Sequence, residues 1–313
     1  MKFTKSVVLA LKGCAMGMAD VVPGVSGGTI AFISGIYEEL IDSIRSVDAT
    51  ALRLLARLRL GELWRHVNGR FLLPVLTGIA IAVFSLARLM TYLLEHHPIE
   101  IWSFFFGLIV ASALLVSKQI GRWDWRPAAA LAVGAAAAWW ITVATPTETP
   151  NDWWFVMLSG AVAICAMILP GISGAFILLL LGKYQYIMQA VGDLNIPVIA
   201  IFAVGAAAGI ISFSHLLSWL LKRWHDVTVA VLMGFMVGSL NKVWPWKEVV
   251  ETYTDSHGVL QPLVERNIAP GHFEALYDKP SLLAEAVLLC AAGFLAIYGI
   301  ELLARIVLKK REE

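Results

Sequence analysis

Long apolar runs separated by short polar segments dominate the chain, and their lengths set the first expectation. Six of these runs approach or exceed the roughly 20 residues that an α-helix needs to cross the hydrocarbon core of a bilayer. They cover residues 71–95, 98–117, 127–145, 197–221, 227–244 and 281–308. The pattern therefore predicts six membrane-spanning helices.

Two further apolar regions, 3–44 and 153–191, are each interrupted near the middle by the same short motif, P-G-x-S-G. It occurs in "DVVPGVSGGT" at 20–29 and again, 147 positions later, in "MILPGISGAF" at 167–176. Proline ends a helix because it lacks an amide hydrogen and clashes with the preceding turn. Glycine allows a tight reversal, and serine can cap the helix that follows. Each region is therefore predicted to form a hairpin of broken helices.

Segment 45–70 has a different pattern, in which leucines alternate with six arginines. Such a helix would expose a basic face along its length, so it is unsuited to cross a bilayer. An amphipathic basic helix is typical of the interface with an anionic leaflet. The segment is predicted to lie on the membrane surface.

The distribution of lysine and arginine predicts the topology. These residues concentrate at the N-terminus, in 45–70, 118–126 and 222–226, and at the C-terminus, whereas loops 95–100 and 145–152 contain none. The positive-inside rule places the basic segments and both termini in the cytoplasm, and 245–280 outside. The two hairpins then enter the membrane from opposite sides.

Composition supports a membrane protein and excludes several other classes. Hydrophobic residues make up 59% of the 313 residues and charged residues only 15%, against about a quarter charged in soluble domains. The mean hydropathy is +0.75. No basic-aromatic patch suggests nucleic-acid binding, and the three cysteines lack the spacing of a metal site or disulfide framework. An all-α polytopic membrane protein without a metal or cofactor is predicted.

The two halves of the chain align with each other. Residues 17–41 and 164–188 share eight identities in 25 positions, and 78–112 and 205–239 share nine in 35. One crossing between the copies would give them opposite orientation, which is the inverted repeat of many secondary transporters. The predicted single transmembrane domain, 1–313, comprises repeat one at 1–118, a connecting span at 127–145, repeat two at 150–244, an external loop at 245–280 and the final span.

The repeated motif points to an anion. The first amides of a helix lack partners within it, and together with the positive end of the helix dipole they bind oxyanions such as phosphate. The alternative is a packed helix kink without a ligand. Candidate substrate-binding residues in the two motifs are Asp20, Pro23, Gly24, Ser26, Gly27, Gly28, Thr29, Pro170, Gly171, Ser173 and Gly174.

Two ionisable residues inside predicted spans complete the candidate set. Arg88 could bind a phosphate with two hydrogen bonds, and His215 occupies the equivalent position in the second repeat. Ionisable groups within spans are costly and often functional. The alternatives are that Arg88 extends to the lipid headgroups and that His215 is a packed, hydrogen-bonded side chain.

With "DVVPGVSGGTIAFISGIYEEL" and "PGISGAFILLLLGKYQYI" in view, the chain resembles a bacterial membrane family associated with undecaprenyl-phosphate (polyprenyl-phosphate) translocation. The resemblance covers nearly the whole chain. It implies recycling of this lipid carrier of cell-wall synthesis from the outer to the inner leaflet of the cytoplasmic membrane. It also implies that the motif residues bind the lipid phosphate. Coupling to protons, through Asp20 or a glutamate, is a further hypothesis.

Two other functions remain open at this point. Polyprenyl-diphosphate phosphatases also use inverted hairpins and a P-G-x-S motif, but in them the serine is followed by Arg-Ser and a glutamate-rich motif supplies acid and base. Here Ser26 and Ser173 are followed by glycine, so an enzyme is not expected. A carrier or channel for a small inorganic anion could use the same helix ends.

Overall fold

The computed structural model describes residues 2–21, 26–146, 149–254 and 260–309, and these residues are mostly helical. The helices are α1 Lys2–Val21, α2 Gly27–Ile33, α3 Tyr37–Arg45, α4 Ala49–Ala56, α5 Leu60–His66, α6 Gly69–His96, α7 Pro98–Ser117, α8 Trp125–Val143, α9 Trp153–Ile168, α10 Gly174–Leu180, α11 Tyr184–Gly192, α12 Ile196–Arg223, α13 His225–Ser239, α14 Pro270–Tyr277 and α15 Leu283–Lys309. Strands β1 Lys247–Thr254 and β2 Leu260–Asn267 form one antiparallel pair.

Several helices are suited to a membrane by length and composition. Within the described residues α7, α8 and α12 are long and apolar enough to cross a bilayer, and counting two bent helix pairs raises this number to five. Helices occupy all six predicted span regions, although α13 ends at Ser239. More than half of α7 is buried inside the protein, against 11% of α12, so α7 is central and α12 peripheral. The chain is a multi-pass membrane protein.

Each predicted hairpin contains a second break after the motif. The arm that follows it, α2 or α10, has seven residues, about 10 Å of helix. A turn then follows at Gly35 (φ 70°) or Gly182 (φ 61°), where the left-handed backbone favours glycine. The chain bends by 109° between α10 and α11. The returning arm is therefore bent rather than one straight helix.

The helix that enters each hairpin packs closely on the long helix that follows. Gly13 of α1 faces the backbone of Val75 in α6, and Gly160 of α9 faces the backbone of Phe202 in α12. Both glycines lie where a Cβ would overlap that backbone. Gly160 lies 147 positions after Gly13, and Phe202 lies 127 positions after Val75, which are the offsets of the sequence alignment. The same contact thus occurs twice.

A second contact is duplicated in the same way. Gly107 of α7 abuts the backbone of Cys290 in α15, and Gly234 of α13 abuts the backbone of Leu131 in α8. Small residues allow such close approach of helices inside a membrane. Helix α8 therefore packs on α13 as α15 packs on α7.

Segment 45–70 forms two short helices, which corrects the prediction of one amphipathic helix. Asp48 caps α4 by accepting from the amides of Thr50 and Ala51. Between α4 and α5 the chain turns at Leu58, whose φ is 54°. Because a left-handed residue cannot continue a right-handed helix, the segment is divided there.

The described residues of 245–280 form two strands and a short helix, and the strands were not predicted. Indole Nε1 atoms anchor it: Trp244 donates to the Ile268 carbonyl at 2.9 Å and Trp246 to that of Ser281 at 2.8 Å. Trp246 also packs in a small core with Ile99 and Ala286, at the starts of α7 and α15. An all-α prediction holds for the membrane helices, and this β-hairpin is the exception.

Candidate functional site

The first hairpin tip binds its own carboxylate. Pro23 and Gly24 lie outside the described residues, which resume at Ser26. Ser26 is the N-cap of α2, and its hydroxyl accepts from the Gly28 amide at 3.1 Å. Asp20 Oδ1, at the end of α1, accepts from the Gly27 amide at 2.6 Å. The position at which a helix N-terminus would receive an oxyanion is therefore occupied by Asp20 in this conformation.

Glycine is required at this tip by the closeness of its neighbours. A Cβ at Gly27 would lie 2.5 Å from Asp20 Oδ2, and one at Gly28 would overlap the carbonyl oxygen of Ile168. Larger residues would thus push α2 away from both α1 and α9. The glycines of the motif bring the first tip against the second hairpin.

The two tips meet through hydrogen bonds. Thr29 Oγ1 accepts from the Gly171 amide at 2.9 Å, and Ser26 Oγ donates to the Met167 carbonyl at 2.8 Å. Tyr37 Oη donates to the Ile168 carbonyl at 3.2 Å. The last carbonyls of a helix have no partner within it, so hydroxyls from hairpin one satisfy the end of α9. The structure brings together the two motifs that the sequence placed 147 residues apart.

The second tip is buried and pressed against α13. Pro170 is buried, and Gly171 has φ 90°, with its Cβ position 2.8 Å from both Phe235 O and Ser239 Oγ. Ser173 is the N-cap of α10 but makes no side-chain cap bond, unlike Ser26. Gly174 packs under the Ala163 carbonyl of α9. The two tips share sequence but differ in how their first amides are capped.

The two ionisable candidates within spans do not join this cluster in the described contacts. Arg88 lies in α6, and its side chain is outside the described part of the structure. His215 is exposed on α12, and Nδ1 lies 2.8 Å from the Ile211 carbonyl of its own helix. Their roles remain predictions.

A connection between the hairpin and α12 was not predicted. Asp42 in α3 accepts from Ser218 Oγ at 2.6 Å and from Lys222 Nζ at 3.1 Å, and both donors lie in α12. Both ends of this connection lie in or next to segments whose basic residues predict a cytoplasmic location. In the sequence, the only signal for this connection was an acidic residue next to the basic segment 45–70.

A buried charge, which the sequence offered as a candidate ionisable residue, lies at the elbow of the second hairpin. The Lys183 side chain is almost fully buried, and Nζ donates to the Thr149 carbonyl and to Asn151 Oδ1, each at 2.7 Å. The rings of Phe155 and Tyr186 lie within 6 Å of the ammonium. This lysine ties the elbow between α10 and α11 to loop 145–152. Its partners explain its burial without a ligand.

Within the described ranges, no group of three or more His, Cys, Asp or Glu side chains is arranged to hold a metal ion. Of the described residues in and next to the two motifs, Phe176 alone lines either of two cavities, of about 500 and 410 Å³. The described residues of the two tips contact each other directly.

Known proteins resemble this chain over most of its length. The family whose sequence model matches residues 16–261 is described as VCA0040-like, undecaprenyl phosphate translocase-like. A polyprenyl-phosphate transporter of Vibrio cholerae serotype O1 is 47% identical over 291 residues, which is 93% of this chain and 94% of that protein. A polyprenyl-phosphate transporter of Staphylococcus aureus is 34% identical over 253 residues, 75% of this chain and 85% of that protein. No solved structure matches.

Proposed function

The chain belongs to the undecaprenyl phosphate translocase-like family, and from that membership we propose that it returns undecaprenyl phosphate from the outer to the inner leaflet of the bacterial cytoplasmic membrane. The names of the two relatives support a polyprenyl phosphate as substrate. A bare phosphate pays a prohibitive desolvation cost in hydrocarbon, so the protein must supply hydrogen bonds along the path. The observation that carries the proposal is the contact between the two motif tips.

The duplicated helix contacts support an inverted repeat with a larger unit than the sequence suggested. Helix α8 packs on α13 as α15 packs on α7, so α8 and α15 are counterparts. Each repeat then comprises a hairpin and three spans, and α8 is the last span of repeat one rather than a separate connector. Three crossings after a hairpin that returns to its own side give the second copy the opposite orientation. The tips then meet from opposite faces of the membrane.

Loop contacts support the proposed sidedness. The amides of Gly121 and Arg122 both donate to the Asp226 carboxylate at 3.1 Å, which joins loops 118–126 and 222–226. Both loops are placed in the cytoplasm by their basic residues. On the other face, Lys183 joins the elbow of hairpin two to loop 145–152. Segments assigned to one side of the membrane therefore contact each other.

The packed tips represent a closed stage of the transport cycle. The phosphate reaches the first amides of α2 only when the Asp20 carboxylate leaves them, because both are anions and occupy the same position. Separation of the tips breaks the hydrogen bond that Ser26 donates and the one that Thr29 accepts, and it opens space between the hairpins. Alternating exposure at the repeat interface is the usual mode of transporters with inverted repeats.

The tip geometry favours transport over hydrolysis. The Ser26 hydroxyl donates its proton to the Met167 carbonyl and accepts from the Gly28 amide, so it is held as a cap. A nucleophilic serine instead needs a general base that accepts its proton. The carbonyl that accepts here cannot serve as that base, and we infer that the protein is not an enzyme.

Translocation is tested with the purified chain in liposomes loaded with undecaprenyl phosphate in one leaflet. A headgroup probe outside the liposomes measures the outer pool over time. Wild type is expected to deplete that pool, whereas liposomes without protein keep it. Asp20→Ala is expected to slow depletion at least tenfold, because without the carboxylate the Gly27 amide has no partner once phosphate leaves, and the closed stage of the cycle cannot re-form. The matched variant Asp193→Ala changes an exposed aspartate at the C-cap of α11 and is expected to behave as wild type. An unchanged pool with wild-type protein would refute the function.

A further inference from the structure

Beyond the ends of α8 and α13 lies a cavity of about 410 Å³, bounded by the β-hairpin and by Phe176 of α10. We call it the basic chamber. Its polar lining consists of Thr142, Asn241, Lys242, Lys247, Glu265, Arg266 and Asn267. Three cationic residues therefore line the chamber with one carboxylate, so positive charge is in excess there.

The two lysines share one acceptor. Lys242 Nζ lies 2.8 Å and Lys247 Nζ 3.3 Å from the same oxygen, Glu265 Oε2. Desolvation lowers the pKa of Lys247 to about 8, although Glu265 attracts its proton. Burial opposes ionisation of Glu265, but the charges of Lys247 and Lys242 hold its pKa at about 2. Because two ammonium groups share one carboxylate oxygen, an additional anion would be stabilised there.

Aromatic rings hold both lysines in position. Lys247 Nζ lies 4.4 Å from the ring centre of Trp102 in α7, and Lys242 Nζ lies 4.9 Å from that of Phe176. Cation–π contacts of this length restrict long, flexible side chains before any ligand arrives. Phe176 follows the second motif, so the chamber adjoins the hairpin that carries tip two.

An apolar groove of about 500 Å³ continues from the chamber. Its lining includes Phe106 of α7, Ala136 and Trp139 of α8, and Val237 of α13. Trp139, together with Asn241 and Asn267, lines both cavities. Phe106 and Ala136 lie near the middle of helices suited to span a membrane, whereas the chamber lies beyond the helix ends. An apolar path within the bilayer thus leads to a cationic space at its surface.

We propose that the basic chamber and the apolar groove form one docking site for an isoprenoid phosphate monoester, with the phosphate in the chamber and the chain in the groove. The inference rests on the proposed function, because it takes the same lipid class, and it places capture of that lipid apart from the tips. On the topology argued above, the chamber faces outward and loads lipid from the outer leaflet.

Charge and shape select the monoester over an ordinary phospholipid. A phosphate monoester carries about −1.5 to −2 charges near pH 7, which matches the excess of positive charge in the chamber. A phospholipid diester carries only one negative charge, so it matches the positive charge of the chamber less well. Free phosphate would match the charge but leave the groove empty.

The site is tested by photolabelling the full chain in nanodiscs with farnesyl phosphate that bears a diazirine on its first isoprene unit. Labelled peptides are expected from 135–139 and 237–240. Excess farnesyl phosphate should prevent labelling, whereas farnesol, inorganic phosphate and phosphatidylglycerol should compete at least tenfold less well. Equal competition by phosphatidylglycerol would assign the groove to bulk lipid, and equal competition by inorganic phosphate would assign the chamber to a free anion. Either result would overturn the proposal.

Two variants probe the two parts of the site separately. Combined Lys242→Gln and Lys247→Gln should reduce labelling at least tenfold, with exposed Lys279→Gln as control. Ala136→Trp should fill the groove and block labelling, whereas Ala132→Trp, one turn earlier and also exposed, should not. The groove variant leaves the lysine cluster intact, so it remains informative if the double variant unfolds.

The outcomes separate this inference from the proposed function. If the wild-type protein translocates lipid but neither the lysine double variant nor Ala136→Trp reduces labelling, the docking site alone is overturned. Labelling at the expected peptides without translocation would support the docking site and refute the transport function. Labelling confined to the motif tips would likewise overturn the inference, since the lipid would then be captured there directly.

Discussion

The hydrogen bond between the two tips gives the sharpest prediction. Thr29→Val preserves the shape of a fully buried side chain but removes the oxygen that accepts from the Gly171 amide. That amide would then be buried without a partner, at a cost of about 1–3 kcal/mol. A loss of about 2 kcal/mol corresponds to roughly a 30-fold shift of the equilibrium between joined and separated tips. The threonine hydroxyl is therefore expected to hold the tips together.

Hydrogen–deuterium exchange of the protein in nanodiscs measures this shift. Peptides that cover 165–177 should exchange roughly 30-fold faster in Thr29→Val than in wild type. Thr228→Val is the matched control, because it also removes a buried threonine hydroxyl. That hydroxyl donates to the Trp224 carbonyl, which still accepts a hydrogen bond from the Thr228 amide at 2.9 Å, so no buried group loses its only partner. Thr29→Ser should retain near-wild-type protection. If Thr29→Val and Thr228→Val gave the same exchange at 165–177, the tips would not be joined through Thr29.

Three further predictions follow from the geometry. Gly171→Ala should lower the free energy of unfolding, measured by thermal unfolding in detergent, by about 1–3 kcal/mol, because the backbone at Gly171 is left-handed and its Cβ position is crowded. Gly192→Ala, in open space, should change it by less than about 0.5 kcal/mol, and equal effects of the two variants would contradict this reasoning. Asp42→Asn should cost at most about 1 kcal/mol, since the pair with Lys222 is largely exposed, and the loss measured by thermal unfolding should shrink at high salt. Raising the pH from 7 to 9 deprotonates Lys247, whose pKa is about 8, so farnesyl phosphate should bind several-fold more weakly at pH 9. Lys247→Gln should abolish this pH dependence. A wild-type affinity that does not change between pH 7 and 9 would exclude Lys247 as a ligand.

Local patterns were sufficient to predict most of the helices and the places where they break. Runs of apolar residues must form helices in a membrane, because lipid offers no partners for backbone groups. Pro170 and the glycines of the motif interrupt those helices for reasons that depend only on the residues themselves. The cap at Ser26 likewise follows from a serine placed directly before a helix. The pairing of α1 with α6 was not predicted from the sequence.

Other features escaped because their signals are weak or nonlocal. The elbow at Gly182 was visible only as a repeated glycine, and a single glycine within an apolar run does not specify a bend of 109°. The strands at 247–254 and 260–267 are short and polar, so their pairing depends on Trp244 and Trp246 anchoring them to the helices. The two strands form one wall of the basic chamber, and no spacing of residues in the sequence predicts that cavity.

The sequence by itself determined that this is a multi-pass helical membrane protein with one interrupted motif used twice, since hydrophobicity, proline and glycine act over a few residues. Only the tertiary structure decided that Thr29 meets Gly171, that Asp20 occupies the first tip and that Lys242 and Lys247 converge on Glu265. These contacts join residues between 7 and 142 positions apart. Their formation depends on how the helices pack, which is set by the sum of many close backbone contacts rather than by any local preference.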